Sequence, residues 1–256
     1  YVTDGVYKDL ADLQTSAKPA KYPADGVFNR TNTVWVGDIK YKDLNGDGVI
    51  NDLDKTNIGS PLPKFTFGWT NTFRYKNFDL SIFINGSYGN KVFNYLDMKL
   101  SAMNNVWVNT SNSVKGHANL APINPDKVYD NGGRWYDDVS NVQVTNPNAS
   151  IPRPTRNDPN DNDAISDRYV EDGSYLRCKL LQIGYTLPKK WVGGADLRLS
   201  FSAQNPFTIT GYSGMDPERP MVDGTTDSSG SAINTGIDNV AYPNPRTFLF
   251  GIDFKF

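Results

Sequence analysis

The stretch that decides the fold is Pro245-Arg-Thr-Phe-Leu-Phe-Gly-Ile-Asp-Phe-Lys-Phe256. From Phe248 onward every second side chain is large and apolar, and most residues between them are small or charged. Side chains of a β-strand point alternately to the two faces of a sheet, so the pattern predicts one apolar and one mostly polar face. The aromatic girdle of a membrane-spanning sheet is one environment for such an apolar face, although a strand of a soluble sandwich shows the same alternation.

The same alternation recurs in four earlier segments, at residues 64–76, 78–88, 169–187 and 197–204. Only Lys76-Asn77 separates the first two segments, which predicts a β-hairpin with a tight turn. In the third segment the apolar positions change parity at Leu180-Leu181, which predicts a β-bulge. The sequence therefore predicts five full strands, together with the end of another strand at residues 1–7.

The connections between the predicted strands are alternately long and short. The long ones are residues 8–61, 91–168 and 208–244, all rich in Asn, Asp, Gly or Pro. They contain a short β-prone piece at 33–41 and a candidate helix at 92–106. Compact soluble domains rarely have several structureless connections longer than about 15 residues, whereas outer-membrane barrels combine short periplasmic turns with long external loops. The pattern favours an all-β, antiparallel transmembrane barrel segment whose polar face lines a water-filled lumen.

Bulk composition argues against several classes of protein. The 256 residues carry a formal net charge of -2, and a nucleic-acid partner would require a basic face. No apolar run approaches the roughly 20 residues of a membrane-spanning helix. The mean hydropathy of -0.53 is compatible with alternating barrel strands. The single histidine, His117, and the single cysteine, Cys178, provide no disulfide and no recognisable catalytic set, so we expect no enzyme.

Five strands and one strand end are too few to close a barrel, which normally has about eight or more strands. An open sheet in lipid would leave backbone N–H and C=O groups unpaired at its edges, at a cost of several kcal/mol each. We therefore expect the remaining strands to come from elsewhere. One alternative stays open, a soluble, calcium-stabilised β-rich adhesin or carbohydrate-binding module, and dependence on detergent separates the two.

A calcium-binding loop is predicted at residues 43–54, which follow the pattern D-x-[DN]-x-[DN]-G with an acidic residue at position twelve. Calcium takes about six to eight hard oxygen ligands. The predicted ligands are the side chains of Asp43, Asn45, Asp47, Asn51 and Asp54 and the backbone carbonyl of Val49. Position twelve is normally Glu, and the shorter Asp54 resembles the dockerin form of the loop. The alternative interpretation is a polar turn without metal.

Two other acidic groups are interpreted without a metal or a catalytic role. Asp158, Asp161, Asp163 and Asp167 have no turn glycine at the required offset, so we expect a solvated loop there. Glu171 and Asp172 are adjacent in a predicted strand and point to opposite faces, which does not suit the carboxylate pair of a glycosidase.

Seven blocks of the sequence resemble the SusC/RagA family of TonB-dependent outer-membrane transporters, in that family's order. They are residues 37–51, 58–68, 77–83, 169–177, 181–188, 204–207 and 242–248, followed by the strand that ends in Phe256. The resemblance spans almost the whole chain. It implies that residues 1–256 are the C-terminal portion of a barrel of about twenty-two strands, of which they supply roughly the last six with their long extracellular loops.

The resemblance also implies partners and a location. The partners are the remaining barrel and plug of the same transporter, TonB acting through the plug segment, the lipid bilayer, and a SusD-like surface lipoprotein that captures nutrient. The nutrient in this family is an oligosaccharide or a peptide. The N-terminal plug and the TonB box are absent from this sequence. The implied location is the outer membrane of a Gram-negative, Bacteroidetes-like bacterium.

Candidate substrate contacts lie in the predicted loops and on the polar face. Loop aromatic side chains can stack on sugar rings, and polar-face side chains can bind a passing substrate. The default interpretation of each aromatic residue is packing in its own loop or contact with the partner protein, and that of each polar residue is lining a wet wall. The principal candidates are Trp107, Trp135, Tyr136, Tyr212, Arg74 and Arg198, with Tyr95, Asp79, Asn85 and Gln204 as further members of the two sets. In this class of barrels a C-terminal aromatic residue acts as an assembly signal, for which the candidates are Ile252, Phe254 and Phe256.

Overall fold

The computed structural model describes residues 1–104, 109–146, 148–218, 236–239 and 242–255. The β-strands in these ranges are β1 Thr3–Val6, β2 Ile39–Tyr41, β3 Phe65–Tyr75, β4 Phe78–Tyr88, β5 Lys91–Asn94, β6 Leu120–Pro122, β7 Val142–Val144, β8 Val170–Asp172, β9 Tyr175–Thr186, β10 Asp196–Thr210, β11 Ile237–Asp238 and β12 Thr247–Lys255. The α-helices are α1 Leu10–Thr15 and α2 Tyr95–Ser101. Short 3-10 helices include Asp52–Asp54, Trp135–Asp137 and Asp167–Tyr169. Neither α-helix in this described part is long and apolar enough to cross a membrane.

The chain divides into two compact units, the first comprising Tyr1–Ile58 and Tyr95–Val170 and the second Gly59–Asn94 and Glu171–Phe256. In the second unit five strands form one antiparallel sheet in the order β12-β10-β9-β4-β3. They correspond to the five full strands that the alternation predicts, with one correction. The predicted strand at 169–187 is divided, because residues 170–172 form β8 in a separate sheet with β5 and β11. Their lengths run from 9 residues in β12 to 15 in β10, and a tilted strand needs about 9–11 residues to span a bilayer.

The register keeps the two predicted faces separate across all five strands. One row of paired residues runs Phe73, Leu80, Ile183, Phe201, Phe250, and it defines the apolar face. The adjacent row runs Thr72, Ser81, Gln182, Ser202, Leu249, and it defines the polar face. On the apolar face Phe250 is 84% exposed and Ile252 is 74% exposed. Many of the largest apolar side chains of this unit therefore point away from the protein.

One turn and one bulge set this register. Lys76 has a left-handed backbone conformation (φ 52°) in the two-residue turn between β3 and β4, as tight hairpins require. The predicted bulge is present, but its extra residue is Lys179, since β4 pairs Phe83 with Leu180 and then Ile84 with Cys178. The change in apolar alternation can place a bulge only at the apolar residues nearest to it. For this reason the prediction named Leu180-Leu181 and not Lys179.

The first unit has a hydrophobic core of its own, which corrects the sequence analysis. The core residues are Val6, Tyr7, Leu13, Val34, Trp35, Val36, Ile39, Tyr41, Ile50, Ala118, Val142, Val144 and Ala149. Most of residues 8–61 and 91–168, expected to be long loops, therefore belong to a folded body in which β6 pairs with β7. The prediction that residues 1–7 end a barrel strand is wrong, because β1 pairs with β2 inside this unit.

The core of the first unit also contains an ion pair. Arg153 Nε lies 2.8 Å from Asp38 Oδ1, and both side chains are almost completely buried. The backbone N–H of Trp35 donates to Asp38 at 2.8 Å, and the backbone N–H of Arg153 donates to the Gly37 carbonyl at 2.8 Å. These bonds join the segment before β2 to the segment around Arg153. A buried charge needs such pairing because it has lost its hydration.

The helices are short and locally capped. The side chain of Asp9 accepts the backbone N–H of Asp12 at 2.9 Å, an N-cap that begins α1. The helix predicted at 92–106 begins instead at Tyr95, because β5 pairs in parallel with β11 and takes the first residues of that range. Residues 105 and 106 of the prediction lie outside the described residues.

Candidate polar-face site and calcium loop

An ion pair crosses the polar face near the short turns. Arg198 Nη2 in β10 donates to Asp79 Oδ2 in β4 at 2.8 Å, and Arg198 also lies 3.6 Å from Asp253 in β12. The strand between them, β9, presents Gly184 at this point, and a Cβ there would collide with both charged side chains. Glycine therefore leaves the slot through which Asp79 and Arg198 meet.

Two of the predicted substrate contacts share this region. Arg74, Lys76 and Arg198 line an open hollow of about 470 Å³ together with Asn77, Phe78, Asp79 and Thr186. Within the described residues Arg74 forms no ion pair, even though Asp79 is its cross-strand partner. Its guanidinium group can therefore donate hydrogen bonds to carbonyl, hydroxyl or carboxylate oxygens that enter the hollow.

A second ion cluster lies on the polar face near the other end of the sheet. Arg177 in β9 forms two hydrogen bonds with Asp216, at 2.6 and 3.2 Å, and Lys179 lies 2.6 Å from Glu218. The side chain of Arg177 is 5% exposed and that of Asp216 is 2% exposed. Burial favours the neutral carboxyl, but the Arg177 guanidinium and the backbone N–H groups of Asn244 and Glu218 hold the pKa of Asp216 below its ordinary value.

The predicted aromatic contacts have different fates. Trp135 and Tyr136 are partly exposed neighbours in the first unit, with ring centroids 5.6 Å apart, and Arg30 lies 4.9 Å from the Tyr136 ring. Tyr212 is buried and its hydroxyl donates to Asp238 at 2.6 Å, a placement that offers little ring surface for stacking on a substrate. Trp107 lies outside the described residues.

The remaining predicted residues occupy the positions that their alternation implies. Ile252 and Phe254 are exposed on the apolar face of β12, whereas Phe256 lies outside the described residues. On the polar face, Asn85 Nδ2 donates to Glu218 at 3.3 Å. In the first unit, Tyr95 begins α2 and Lys99 lies 5.0 Å from its ring.

The loop at 43–54 is held by its own acidic and amide side chains. Asp43 accepts the backbone N–H groups of Gly46 and Gly48, at 2.6 and 2.7 Å. Both glycines have positive φ, which lets the chain turn sharply around the Asp43 carboxylate. Asn45 accepts from Asp47, and Asp47 accepts from Val49. The predicted ligands therefore follow one another around a single tight turn.

Asp54 closes this loop from the other side. Its two oxygens accept the backbone N–H groups of Leu44 and Asn51, each at 2.8 Å, and these bonds lower its pKa. The residue is 0% exposed, yet it pairs with no lysine, arginine or histidine among the described residues. A shielded carboxylate of this kind suits a cation. In the same described part, no three acidic, histidine or cysteine side chains converge closely enough to hold a metal by themselves.

The second acidic segment is not a solvated loop throughout. Asp158 accepts a hydrogen bond from Asn162 Nδ2 at 2.6 Å, and burial raises the pKa of Asp158 to about 6. Asp167 accepts the backbone N–H and the hydroxyl of Thr3, at 2.9 and 2.8 Å. The expectation of a solvated loop is therefore wrong for Asp158, which belongs to the folded body of the first unit.

Sequence reasoning missed the cluster around Arg177 altogether. Its basic members stand on the polar face of a predicted strand, but its acidic members lie about 40 residues further along, in a connection with no periodic pattern. A signal was available in the sequence: residues 169–177 and 242–248 are two of the family-like blocks, and Arg177 and Asn244 lie in them. Nothing in the order of residues states that these blocks meet.

Comparison with known proteins gives a consistent answer. The chain is 36% identical over 219 residues to TonB-dependent receptor P3 of Formosa agariphila, covering 84% of this chain and 19% of that protein. It is 28% identical over 223 residues to the TonB-dependent receptor SusC of Bacteroides thetaiotaomicron, covering 84% of this chain and 17% of SusC. No protein-family model matches the chain.

A solved structure has the same fold. The RagAB peptide transporter superimposes with a TM-score of 0.52 at 19% identity, covering 77% of this chain and 18% of that one. The chain thus spans about a fifth of the length of the relatives it matches. The described sheet is a segment of their all-β barrel fold. Shared sequence over most of its length and a shared fold show that this chain belongs to the SusC/RagA-like TonB-dependent receptors.

Proposed function

We propose that this chain forms part of the wall of an active transporter that imports nutrient across the bacterial outer membrane. The observation that carries the proposal is the five-strand sheet with an exposed aromatic and aliphatic face opposite a face of hydroxyl, amide and charged groups. An apolar outer face suits hydrocarbon, and a polar inner face suits a water-filled lumen. A soluble calcium-stabilised β module would instead bury such a face against protein.

The proposed nutrient is an oligosaccharide or a peptide. The name of the solved RagAB structure describes a peptide transporter, and both classes present many hydroxyl or carbonyl oxygens. Arg74 and Arg198 on the polar face and the Trp135–Tyr136 pair in the first unit are the proposed contacts. The remaining barrel, a plug that TonB pulls, and a SusD-like lipoprotein that captures the substrate complete the proposed machine.

Deletion of the full-length gene in its own bacterium tests this function. Uptake of fluorescent peptides and oligosaccharides is measured with and without a plasmid copy of the gene, and after the proton gradient is collapsed. We expect loss of uptake of one class, restoration by the plasmid, and dependence on the gradient. Unchanged uptake of both classes in the deletion strain would overturn the proposal.

We also propose that the loop at 43–54 binds Ca²⁺, with side-chain oxygens of Asp43, Asn45, Asp47, Asn51 and Asp54 and the Val49 carbonyl as ligands. The shielded Asp54 carboxylate and the two positive-φ glycines support this. The ion would stiffen the loop, with the affinity of an extracellular site, about 10⁻⁴–10⁻³ M.

The purified full transporter tests the calcium proposal. Asp47→Ala should lower its calcium content by one equivalent and speed proteolysis of the loop, while Asp126→Ala, outside the loop, should change neither. Equal calcium content and equal proteolysis in the two variants would contradict the site.

Ile252, Phe254 and Phe256 are proposed to form the assembly signal of the barrel. The exposed side chains of Ile252 and Phe254, together with the terminal Phe256 of the sequence, would be read by the machinery that inserts barrels into the membrane. Removal of Phe256 should reduce the amount of heat-modifiable, folded transporter in the outer membrane. An undiminished amount would leave these residues with a role in the lipid-facing strand alone.

A further inference from the structure

The cluster around Arg177 joins the polar face to both ends of the connection between β10 and β12. On the strand side, Arg177 Nε donates to Thr208 at 2.8 Å, and Thr208 is its register partner on the polar face of β10. On the connection side, Asp216 and Glu218 come from the residues that follow β10. The cluster therefore fixes the first end of the connection to the sheet.

The second end is fixed at the same place. The backbone N–H of Asn244 donates to Asp216 Oδ2 at 2.9 Å, and the Asn244 side chain donates to Asp216 at 3.1 Å and to Glu218 at 3.2 Å. Asn244 stands three residues before β12. The Asp216 carboxylate thus holds Asn244, which lies 28 residues further along the chain.

The bulge in β9 makes this cluster possible. Lys179 is the extra residue of that bulge, and its ammonium group reaches Glu218 beside Arg177. A bulge re-aims a side chain in this way, because it breaks the strict alternation of a strand. Two cations thereby face two carboxylates. Arg177 and Asp216 are almost fully buried, where removing one partner of an ion pair is costly, whereas Lys179 and Glu218 are partly exposed.

Further bonds hold the connection against neighbouring strands of the same unit. Ser213 donates to both oxygens of Glu171, through its hydroxyl at 2.7 Å and its backbone N–H at 2.8 Å. Tyr212 donates to Asp238, and the strand that contains Asp238 pairs with β5. These bonds hold Tyr212 and Ser213 beside β8 and β11, which form a separate sheet with β5. The bonds of Asp216 to Arg177 and of Glu218 to Asn85 place the following residues over the polar face, near the ends of β4 and β9.

We propose that residues 211–218 and 242–244 form an inward-folded constriction of the pore, and that Arg177 and Lys179 are the positioning residues that hold it there. This rests on the proposed function, because the polar face is a pore wall only in a barrel. The constriction limits the size of the polar substrate that passes along the face. Residues 211–218 and 242–244, which the sequence analysis placed in or beside an external loop, are thus proposed to be a selectivity element of the lumen.

The test uses the full transporter in intact cells. Arg177→Met removes the positive charge that binds Asp216 and Glu218. Lys189→Met is the control, because it removes one positive charge from the short connection between β9 and β10. Proteinase K should cut the connection between β10 and β12 about tenfold faster or more in the first variant, because cleavage follows the population of the open form. The second variant should match the parent protein.

Asp216→Asn and the double variant Arg177→Met/Asp216→Asn then show whether Arg177 and Asp216 act together. If the two residues act only through their ion pair, proteinase K should cut the double variant no faster than the faster single variant. Asn244→Ala keeps the bond from the backbone N–H of residue 244 to Asp216 and leaves the charges of Arg177 and Asp216 in place. It should therefore raise the cleavage rate by less. Heat-modifiable migration and surface amount of each variant show that the barrel is still folded.

Uptake of a ladder of peptides or oligosaccharides of increasing length reports the pore size. Arg177→Met should import longer members that the parent and Lys189→Met exclude, while import of the shortest members persists. An unchanged length limit and unchanged cleavage in a normally folded Arg177→Met variant would overturn the constriction. That outcome is distinct from failure of the proposed function, in which deletion of the whole gene leaves uptake intact.

Discussion

The two units of the chain use the same kinds of apolar side chains in opposite ways. In the first unit, Val34, Trp35 and Val36 are completely buried among other protein side chains. In the second unit, Phe250 and Ile252 belong to a regular strand yet remain largely exposed. The first unit buries its apolar side chains in its own core, as water-soluble domains do. The other leaves that surface for a different solvent, and hydrocarbon is the one that its geometry fits.

The largest expected effect is a loss of stability of the first unit. Arg153→Met should leave the Asp38 carboxylate buried without its partner, and we expect the first unit to lose about 3–5 kcal/mol of stability. Hydrogen exchange of the Trp35 and Ile39 amides in the purified transporter measures this loss. Lys127→Met, which removes one partner of a more exposed pair with Asp138, should cost far less stability, because water and salt screen an exposed pair. Equal protection in the two variants would contradict the comparison.

The next effect separates the two faces of the sheet. Ile82 and Ser81 are neighbours in the middle of β4 and point to opposite faces. Ile82→Arg should destabilise the barrel by about 2–4 kcal/mol, because the charge would enter hydrocarbon. Ser81→Arg should cost far less, since it faces the lumen. Denaturant unfolding of the full transporter in lipid vesicles provides both numbers, and a larger loss for Ser81→Arg would reverse the assignment of faces.

A third effect concerns the pH dependence that Asp158 gives to the first unit. The folded pKa of Asp158, about 6, lies above the ordinary value of about 3.9, so the folded unit holds its proton more tightly than the unfolded chain. Stability should therefore fall as the pH rises from about 4 to about 6, by roughly 2 kcal/mol, and stay level above that window. Asp158→Asn should abolish this fall. Hydrogen exchange corrected for intrinsic rates, recorded from pH 4 to 8, would contradict the account if both proteins behaved alike.

The smallest effect concerns the hairpin turn. Lys76 adopts a left-handed conformation that costs a residue with a Cβ about 1 kcal/mol and costs glycine little. Lys76→Gly should therefore stabilise the sheet by up to about 1 kcal/mol in vesicle unfolding experiments. Asn77→Gly, at the other turn residue, where φ is not positive, is the control and should give no gain. A loss of stability with Lys76→Gly would show that its side chain matters more than its backbone.

The sheet was predictable because a period of two leaves a clear pattern when one face is uniformly apolar. The core of the first unit was not predictable, because it draws on residues such as Leu13, Ile50 and Val142 from separate, mostly polar segments without a sustained period. The tight turn at 43–54 could be predicted because its residues are contiguous, and calcium binding there stays a prediction. The Arg177 cluster could not, since Asp216 and Asn244 reach it only through the folding of a connection without periodicity.

The most direct test of the central claim labels the two faces from the membrane. A lipid-soluble diazirine is activated in vesicles that contain the full transporter, and the modified residues are mapped by mass spectrometry. We predict labelling of Leu80, Ile183, Phe201 and Phe250 on the apolar face, with Ser81, Gln182 and Ser202 unlabelled. Labelling of the polar row, or protection of the apolar row, would contradict the assignment of this sheet to a membrane-spanning wall.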